Sequence, residues 1–388
     1  MNEPESPSGR PPIPFNVPAQ TGRELQYIRR VFEIGKFSGN REFTGRCTGW
    51  FERHFACPRA LVTSSGSHAL ELSALLAEVG PGDEVITASF GFSSTANAFA
   101  LRGAKLVFVD VRADTLNLDE ERLGEAVTGK TRAIVVTHYA GVSCEMDSIN
   151  ELARARGLTV VEDAAHAILS TYRGRLCGTL GRFGCFSFHE TKNLHCGEGG
   201  ALLINDERDV NRAEILQEKG TDRARFYRGQ VDSYSWVDLG SSFILSELGA
   251  AFLFAQLEQA ERIIADRMGS WERYRIGLAE LARAGRVELP VVPEHCGHNA
   301  HCFYLKALDR KERDALLASL AEEGVGAVFH YIPLHSTEAG RKHGRFHGED
   351  RVTTRGSERL LRLPLFYGLK PDQIDRVLDA VTAFYTRH

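Results

Sequence analysis

The feature that most constrains the fold is a regular alternation of helix and strand patterns that begins at about residue 20. Apolar runs rich in β-branched residues, such as 104–111 and 131–137, are separated by longer segments with helical periodicity. The first predicted helix, at 22–35, carries four apolar side chains on one stripe: Leu25, Ile28, Val31 and Phe32. This alternation is typical of an α/β domain with a largely parallel central sheet.

The pattern changes further along the chain. Residues 186–207 read as two short strands around a glycine-rich turn, and 243–280 as one long helix. The remaining chain predicts a smaller α+β domain. We therefore expect a large domain at 15–255 and a small C-terminal domain at 256–388. A disordered lead-in is expected at 1–14, because Pro, Ser, Gly and Glu bury too little surface to offset the entropy of ordering.

Composition excludes several classes of protein. The 388 residues are 43% hydrophobic and 25% charged, and the net charge is −4, so neither nucleic-acid binding nor a polybasic membrane contact is indicated. There is no run of about 18 apolar residues, and the N-terminus lacks the apolar core of a signal peptide. The eight cysteines form no C-x-x-C pair, which favours reduced thiols over a zinc ribbon. We expect a cytoplasmic protein without nucleic-acid or membrane partners.

Residues 124–131, GEAVTGKT, match the P-loop pattern G-x-x-x-x-G-K-[ST] letter for letter. A working P-loop follows a strand and opens a helix. Here the order is reversed, because 119–127 has helical spacing and a strand pattern begins at Thr131. We interpret Gly129 as a helix C-cap and Lys130 as a cation at a helix C-terminus, so Lys130→Ala should leave activity near normal. No G-x-G-x-x-G motif follows the early strands, so a dinucleotide site is not predicted.

Two adjacent carboxylates end one of the predicted strands. Glu162 and Asp163 close the run LTVVED, and strand alternation sends their side chains to opposite faces. At the carboxyl edge of a parallel sheet, one of the two can enter a ligand crevice. Taken alone, Asp163 is equally well interpreted as an ordinary helix N-cap.

A lysine follows in a setting that favours burial. Lys192 lies five residues after Ser187, between an aromatic-rich strand at 183–188 and the turn GEGG at 197–200. Partial burial would lower the pKa of the Lys192 amine and make it a nucleophile. The ordinary alternative is an exposed, solvated cation.

A serine- and glycine-rich loop opens a helix directly after the strand ALVTS. The stretch 63–70, TSSGSHAL, offers hydroxyl and backbone N–H groups that suit an anion, although plain N-capping is the alternative. A phosphate-binding helix start, a strand-end Asp and a lysine at the sheet edge together describe a site for pyridoxal phosphate (PLP). That cofactor needs an amine, an acid at its pyridine nitrogen and ligands for its phosphate.

At these residues the sequence resembles the DegT/DnrJ/StrS family of sugar-nucleotide aminotransferases, which are fold-type I PLP enzymes. PGDEVI, NAFALRGAKLVFVDV, EDAAHA, FSFHETKN and GEGGA look like family segments, and the resemblance spans nearly the whole chain. GKFSGNREFT, HYAGVSCEMD, EKGTDR, FYRGQVDSY, GSSF, FHYIPLH and FHGEDR look most like the dTDP-4-amino-4,6-dideoxygalactose transaminase subgroup. The resemblance implies an α/β fold of type I, in which a large domain with a mostly parallel sheet precedes a smaller C-terminal α+β domain.

The resemblance also implies roles for individual residues. The expected catalytic residues are Lys192, which forms a Schiff base with the cofactor and then moves protons, and Asp163, which pairs with the pyridine N–H. The other implied cofactor contacts are Gly66, Ser67 and Ser187 at the phosphate, Phe92 on the ring face and His166 near the phenolic oxygen.

Three positions depart from the common family pattern. Ser67 stands where Thr is frequent, which keeps the hydroxyl. Ser242 stands where many relatives have an Asn that reaches the partner subunit's phosphate. The subgroup that this chain most resembles also has Ser-Ser at this position. His195 and Cys196 stand where Thr-Thr is frequent, and structural packing is a better interpretation of that pair than catalysis.

The implied reaction transfers an amino group from L-glutamate to C4 of a dTDP-4-keto-6-deoxyhexose, in a homodimer whose active sites use both chains. The galacto and gluco products both stay open. The candidate substrate residues are Ser38, Gly39, Arg228, His330, Tyr331 and His335.

Other activities within the fold are also considered. A C3 aminotransferase keeps the same cofactor chemistry. A PLP-dependent sugar dehydratase is disfavoured, because such relatives carry His in place of the lysine found here as Lys192. A non-enzymatic regulatory member is disfavoured by the retention of Lys192, Asp163 and Ser187.

Overall fold

The structure, a computed structural model, describes residues 11–387. Within that range no helix has both the length and the apolar character needed to span a bilayer. The strands are β1 (Arg59–Thr63), β2 (Glu84–Ala88), β3 (Lys105–Val109), β4 (Thr131–Thr137), β5 (Thr159–Asp163), β6 (Thr171–Tyr172), β7 (Arg175–Leu176), β8 (Phe183–Ser187), β9 (Gly200–Ile204), β10 (Cys296–Gly297), β11 (Phe303–Lys306), β12 (Val328–Phe329), β13 (Gly344–Phe346) and β14 (Leu360–Leu363).

From β1 to β5 helices alternate with the strands, as the sequence predicts. The helices are α1 (Glu24–Ile34), α2 (Glu42–Phe55), α3 (Gly66–Leu76), α4 (Ser93–Ala100), α5 (Leu123–Ala126), α6 (Met146–Arg156), α7 (Glu207–Gln217), α8 (Arg223–Tyr227), α9 (Glu247–Leu257), α10 (Ala260–Gly277), α11 (Ala279–Arg283), α12 (Arg310–Glu322), α13 (Glu338–His343), α14 (Thr353–Arg359) and α15 (Pro371–Arg387). Three short 3₁₀ helices occur at Glu120–Arg122, Tyr139–Gly141 and Leu334–Ser336.

The central sheet has eight strands in the order β1-β9-β8-β5-β4-β2-β3-β13. Strand β9 runs antiparallel to both of its neighbours, and every other pairing in this sheet is parallel. The prediction of an α/β fold with a mostly parallel sheet is therefore confirmed. The carboxyl ends of β1, β2, β5 and β8 meet at one edge, which is where ligands bind in open α/β sheets.

A three-stranded sheet with the order β11-β14-β12 lies in the C-terminal part of the chain. One face of it packs with α10 and α15 in a core that contains Phe303, Leu305 and Leu361. Strand β13, also C-terminal, instead adds to the edge of the central sheet beside β3. The predicted boundary between residues 255 and 256 falls two residues before the end of α9, and the division into two domains stays a prediction.

The single long helix predicted at 243–280 is wrong in its bounds. Residues 243–245 are extended, because Ile244 pairs with Thr63 at the end of β1. Ser246 caps α9 by accepting a hydrogen bond from the Gly249 N–H at 3.3 Å. The helical conformation is then interrupted at Gln259, whose φ of −113° and ψ of 13° separate α9 from α10.

The structure supports the reversed order in the GEAVTGKT segment, since α5 includes its first residues and β4 begins at its last residue, Thr131. The C-cap assignment is wrong, however, because α5 already ends at Val127 in extended conformation. Side-chain hydroxyls end the helix early: Thr131 accepts from the Thr128 N–H at 2.9 Å, and Thr128 accepts from the Lys130 N–H at 3.1 Å. Lys130 is exposed at this turn.

The predicted disordered lead-in at 1–14 lies mostly outside the described residues. At Ile13 the prediction is wrong. The Ile13 N–H donates to the Gly324 carbonyl at 2.8 Å, and the Ile13 carbonyl accepts from the Gly326 N–H at 2.8 Å. Its side chain is buried in the core of the C-terminal part, and that apolar contact offsets the entropy that the composition argument weighed.

Candidate active site

A cradle of small residues forms where β1 and β8 end. A Cβ atom placed on Gly66, the first residue of α3, would lie 2.7 Å from Ser187 Cβ, so only glycine allows this approach. A Cβ on Gly200 would likewise meet the Ser65 carbonyl oxygen at 2.3 Å. The structure thus brings together Gly66 and Ser187, which the sequence placed at one phosphate.

Two helix N-termini face this cradle with hydroxyl groups. The Ser67 and Ser94 hydroxyls are 2.7 Å apart, at the starts of α3 and α4 respectively. Ser65 caps α3 by accepting from the His68 N–H at 3.0 Å. Backbone N–H groups and hydroxyls at two helix starts make a site for an anion.

The two carboxylates at the end of β5 point to opposite faces, as predicted. Glu162 accepts backbone N–H groups of Gly178, Leu180 and Gly181 at 2.6 Å each and a bond from His138 at 2.9 Å. It therefore anchors a loop. Asp163 is buried on the other face, where its carboxylate accepts the Thr95 hydroxyl and the Ala165 N–H, the latter at 3.1 Å.

Lys192 lies in the loop between β8 and β9. This loop is closed by backbone bonds, in which the Phe188 N–H donates to the Gly199 carbonyl at 2.7 Å and the Cys196 N–H donates to the Phe188 carbonyl at 3.0 Å. The Lys192 side chain is half-buried. Burial lowers the pKa of its amine to about 8; the charge of Asp163 opposes this shift, and the charge of Arg362 adds to it.

The lowered pKa predicts how the protein takes up PLP. Only a neutral amine attacks the cofactor aldehyde, so uptake by cofactor-free protein should rise with pH through a midpoint at about 8 rather than near the ordinary 10.5. Stopped-flow absorbance of the lysine-bound cofactor measures this rate. N-acetyl-lysine in the same buffers corrects for titration of PLP itself. A midpoint near 10 would contradict the burial argument.

A group of aromatic rings lies near Lys192, whose charge acts on two of its members, His166 and His330. The Phe92 side chain is 57% exposed, and its ring centroid lies 6.2 Å from that of Tyr331. The Tyr331 hydroxyl lies 3.4 Å from His166 Nε2, and His330 Nδ1 lies 3.1 Å from the Tyr139 hydroxyl. An open aromatic face next to a partly buried amine suits a flat ring.

His166 itself is buried and stacks on His301, with ring centroids 3.9 Å apart. His301 Nδ1 in turn lies 3.0 Å from Asn193 Oδ1, so the stack is joined to the residue after Lys192. Burial lowers the pKa of His166 well below its ordinary value, and the charges of Lys192 and Arg362 add to this. Its Nδ1 is buried and has no hydrogen-bond partner within residues 11–387.

His195 and Cys196, for which the sequence favoured structural packing over catalysis, both form contacts that hold the lysine loop. His195 Nε2 lies 2.7 Å from the Ala19 carbonyl, and its ring packs against Phe252 at 5.1 Å. The Cys196 thiol donates to the Glu198 carbonyl at 3.3 Å. These contacts support a structural role for the pair.

The candidate substrate residues are less tightly grouped. Ser38 and Gly39 line a cavity of about 790 Å³ together with Ser242, and Lys192 is not among the residues around that cavity. Arg228 pairs with Glu214 at 2.8 Å. The two ring nitrogens of His335 contact the Ser89 hydroxyl at 2.7 Å and Asp350 at 3.4 Å.

Sequence reasoning missed three contributors to the site: Thr95 at Asp163, Ser94 at the cradle and His301 under His166. The run of three hydroxyl residues at 93–95, directly after a strand pattern, was a usable signal for the first two. For His301 no local signal existed, because its partner His166 is far away along the chain.

The residues present fit PLP. The cradle offers N–H and hydroxyl donors to a phosphate, and glycine keeps that space free. The unpartnered His166 Nδ1 fits a group that carries an oxygen. Asp163 would supply a carboxylate to the pyridine N–H, and Lys192 would supply an amine to the aldehyde. The fold and site thus define a PLP-dependent enzyme of the α/β, fold-type I class.

Comparisons with known proteins carry this further. Residues 18–382 match the DegT/DnrJ/EryC1/StrS aminotransferase family, to which the chain therefore belongs. The spore coat polysaccharide biosynthesis protein SpsC of Bacillus subtilis is 32% identical over 381 residues, which cover 95% of this chain and 96% of SpsC. The family resemblance, the fold class and the use of PLP are confirmed, and the chain is a PLP-dependent sugar aminotransferase.

Solved structures agree with this assignment. The aminotransferase TlmJ of Streptoalloteichus hindustanus is 31% identical with a TM-score of 0.87, covering 97% of this chain and 99% of TlmJ. DesV of S. venezuelae, solved with a ketimine intermediate, is 29% identical with a TM-score of 0.87, covering 98% of this chain and all of DesV.

Proposed function

We propose that this enzyme transfers the amino group of L-glutamate to C4 of a dTDP-4-keto-6-deoxyhexose, giving a dTDP-4-amino-4,6-dideoxyhexose and 2-oxoglutarate. The observation that carries the proposal is where the subgroup segments lie. GKFSGNREFT, EKGTDR, FYRGQVDSY and GSSF, four of the segments that resemble the dTDP-4-amino-4,6-dideoxygalactose transaminases, all contribute to the lining of the 790 Å³ cavity. That volume suits a molecule of nucleotide-sugar size.

The charges around this cavity suit a diphosphate. Arg41, Arg59, Lys219 and Arg223 line it together with Ser38 and Gly39. Arg59 is paired there with Glu214 at 3.0 Å and Lys219 with Glu218 at 3.4 Å, whereas Arg41 and Arg223 form no ion pair within residues 11–387 and are the candidates for the phosphates. Arginine forks match phosphate geometry and lysine adds a point charge. Arg228 keeps its proposed phosphate role only if the ligand competes with Glu214 for its guanidinium. We propose that His330, Tyr331 and His335 line the part of the site that holds the sugar. The contacts of His335 with Ser89 and Asp350 fix the position of its ring.

The chain's own residues divide the chemistry as follows. Gly66, Ser67 and Ser187 hold the cofactor phosphate, Phe92 covers the ring face, and His166 donates to the phenolic oxygen. When bound, PLP withdraws the electrons left on the donor when its α-proton is removed. Lys192 takes that proton from the α-carbon of the donor and, in the second half of the reaction, gives a proton to C4 of the sugar. An amine pKa of about 8 is well matched to both transfers. Asp163 holds a positive charge at the pyridine nitrogen.

A homodimer with shared active sites is also proposed. Leu25 and Phe32 on α1 are 77% and 63% exposed, and Phe37 beside them is 44% exposed. Leu25 and Phe32 belong to the apolar stripe predicted from the sequence. Within one chain only the other part of that stripe is covered, where Val31 is buried. Such a patch, next to the cavity that holds Ser242, supports a second copy that covers it. A cytoplasmic location is proposed because all eight cysteines are free thiols.

The product decides between the open alternatives. We expect the enzyme with L-glutamate and dTDP-4-keto-6-deoxyglucose to release 2-oxoglutarate and a C4-amino sugar, whose galacto configuration is favoured by the resemblance and is read by NMR. A gluco product would overturn the favoured galacto configuration and leave the proposed C4 amination in place. Turnover only with a 3-keto sugar would make the enzyme a C3 aminotransferase, and no spectral response to any amino donor would favour a regulatory member.

A further inference from the structure

We propose that His301 is a positioning residue for amino transfer, which fixes the loop of Lys192 and the ring of His166 in one arrangement. The inference rests on the roles proposed above for Lys192 and His166. No role for His301 was predicted from the sequence, and it is not one of the proposed cofactor or substrate contacts. It acts through two neighbours, Asn193 and His166.

The first contact of His301 reaches the residue after Lys192. Asn193 is buried, and its Nδ2 donates to the Asn299 carbonyl at 2.8 Å. That bond fixes the orientation of the amide, so Oδ1 faces His301 Nδ1 at 3.0 Å. Because an amide oxygen only accepts, His301 carries its proton on Nδ1 and donates it. Loss of this donor would leave a buried acceptor unpaired directly beside the lysine.

The second contact of His301 supports the His166 ring. The two ring centroids lie 3.9 Å apart, and the planes are inclined by 18°. Burial lowers the pKa of both rings well below the ordinary value, and for His301 the neighbouring groups that add to this are His166, Lys192, Arg267 and Arg362. Both rings are therefore neutral at neutral pH, and charge repulsion does not oppose the stack. A stack that sets the plane of His166 also sets the direction of its unpartnered Nδ1.

A short segment before β11 carries His301 and is itself firmly held. Arg267 on α10 is buried and donates to the Ala300 carbonyl at 3.1 Å and to the His301 carbonyl at 2.7 Å. Ala300 has a φ of 50°, which a residue other than glycine keeps only where the surrounding contacts determine it. Asn299 Nδ2 donates to the His166 carbonyl at 2.9 Å. The segment thus holds the backbone of His166 as well as its ring.

Packing alone does not require an imidazole at this position. A phenyl ring would fill similar space without burying ring nitrogens, which costs free energy unless they are paired. The Nδ1–H of His301 goes to the neighbour of the proposed proton carrier, Lys192. Its ring face goes to His166, the proposed donor to the phenolic oxygen of the cofactor. Both contacts therefore end at groups that are proposed to act on the cofactor.

Two substitutions separate the two contacts. His301→Phe keeps a ring against His166 and loses the donor to Asn193. His301→Asn places an amide N–H near the position of Nδ1 and loses the ring. The matched control is His298→Phe, the same change three residues earlier, where the ring contacts Trp271 with centroids 4.4 Å apart.

The first measurement is a pH titration of the absorbance of the lysine-bound cofactor, which needs no amino donor. A hydrogen bond to the phenolic oxygen stabilises the form in which the link to Lys192 has lost its proton, and so lowers the midpoint. His301→Asn should raise this midpoint by about one pH unit, the effect of a weakened hydrogen bond to a charged group. His301→Phe should change it by less than about 0.3 unit.

The second measurement is the rate of bleaching by saturating L-glutamate. His301→Phe should lower this rate by about tenfold and change the apparent Kd of L-glutamate by less than about threefold, because it loosens the group that moves the proton and not the groups that bind the donor. Asn193→Ala should cost a similar factor. The double variant should also lose about tenfold rather than about 100-fold, because both substitutions remove the same bond.

Thermal melts of the cofactor-free proteins separate positioning from folding. A lower melting temperature with an unchanged midpoint and bleaching rate in both His301 variants would make His301 a structural residue and overturn the inference. Kinetic and spectral changes of equal size in His298→Phe would overturn it too. If a His301 variant fails to fold, Asn193→Ala carries the test from the lysine side.

The same measurements separate the inference from the proposed function. A wild type that is not bleached by L-glutamate overturns the proposed donor alone, because the titration still decides the role of His301. A wild type without lysine-bound absorbance overturns the role of Lys192, and the inference with it.

Discussion

Replacing Lys192 by alanine is expected to abolish turnover, with a loss of at least about 10⁴-fold in kcat, the upper range for one positioned acid–base group. The substitution removes the amine proposed both to attach the cofactor and to carry the proton during transfer. The absorbance of the lysine-bound cofactor should disappear as well. PLP itself should still bind, because the ligands proposed for its phosphate, Gly66, Ser67 and Ser187, do not include the lysine.

The matched control for this variant is Lys130→Ala. Lys130 belongs to a perfect P-loop match, yet it is exposed in a turn between α5 and β4, where its charge acts on Glu84 at the start of β2. Activity and spectrum should stay near those of the wild type. A fully active Lys192→Ala would contradict the assignment of the site, and a near-total loss in Lys130→Ala would revive the P-loop hypothesis.

The parts of the fold that could be predicted are those fixed by local periodicity. Strand alternation alone sent Glu162 and Asp163 to opposite faces, and helix-then-strand order alone excluded a P-loop at 124–131. Both inferences needed only the neighbouring residues and the rule that one face of an element is buried. The cradle was also accessible, because a strand that opens directly into a serine- and glycine-rich helix start is a local signal.

The missed parts depend on contacts between distant residues. Thr95 reaches Asp163 across 68 positions, and His301 stacks on His166 across 135. The break at Gln259 carries no Gly or Pro, so a continuous apolar pattern concealed it. Each of these features is decided by tertiary packing rather than by local preference.

The second large effect is expected at Asp163, which lies on the face of β5 opposite Glu162. Asp163→Asn is expected to lower kcat by about 10²- to 10³-fold, the cost of losing one electrostatic contact at the reacting centre. An amide keeps the size of the side chain and its bond to Thr95. It carries no charge, however, and cannot hold a proton on the pyridine nitrogen. The cofactor would still attach to Lys192, so absorbance should persist while the rate of α-proton removal falls.

Glu162→Gln is the control for Asp163→Asn, because it makes the same chemical change one residue earlier on the opposite face. Glu162 accepts three backbone N–H groups and a bond from His138, so its loss should lower the melting temperature. The kcat of the protein that remains folded should stay within about threefold of the wild type.

Thr95→Val removes one hydrogen bond from Asp163 and should lower kcat by about tenfold, the value of a bond to a charged group, which lies between the losses expected for Glu162→Gln and Asp163→Asn. Stopped-flow bleaching by L-glutamate and thermal melts of all four proteins distinguish a charge at the pyridine nitrogen from a carboxylate that only supports the fold. Equal kinetic losses at Glu162 and Asp163 would leave the face argument without support.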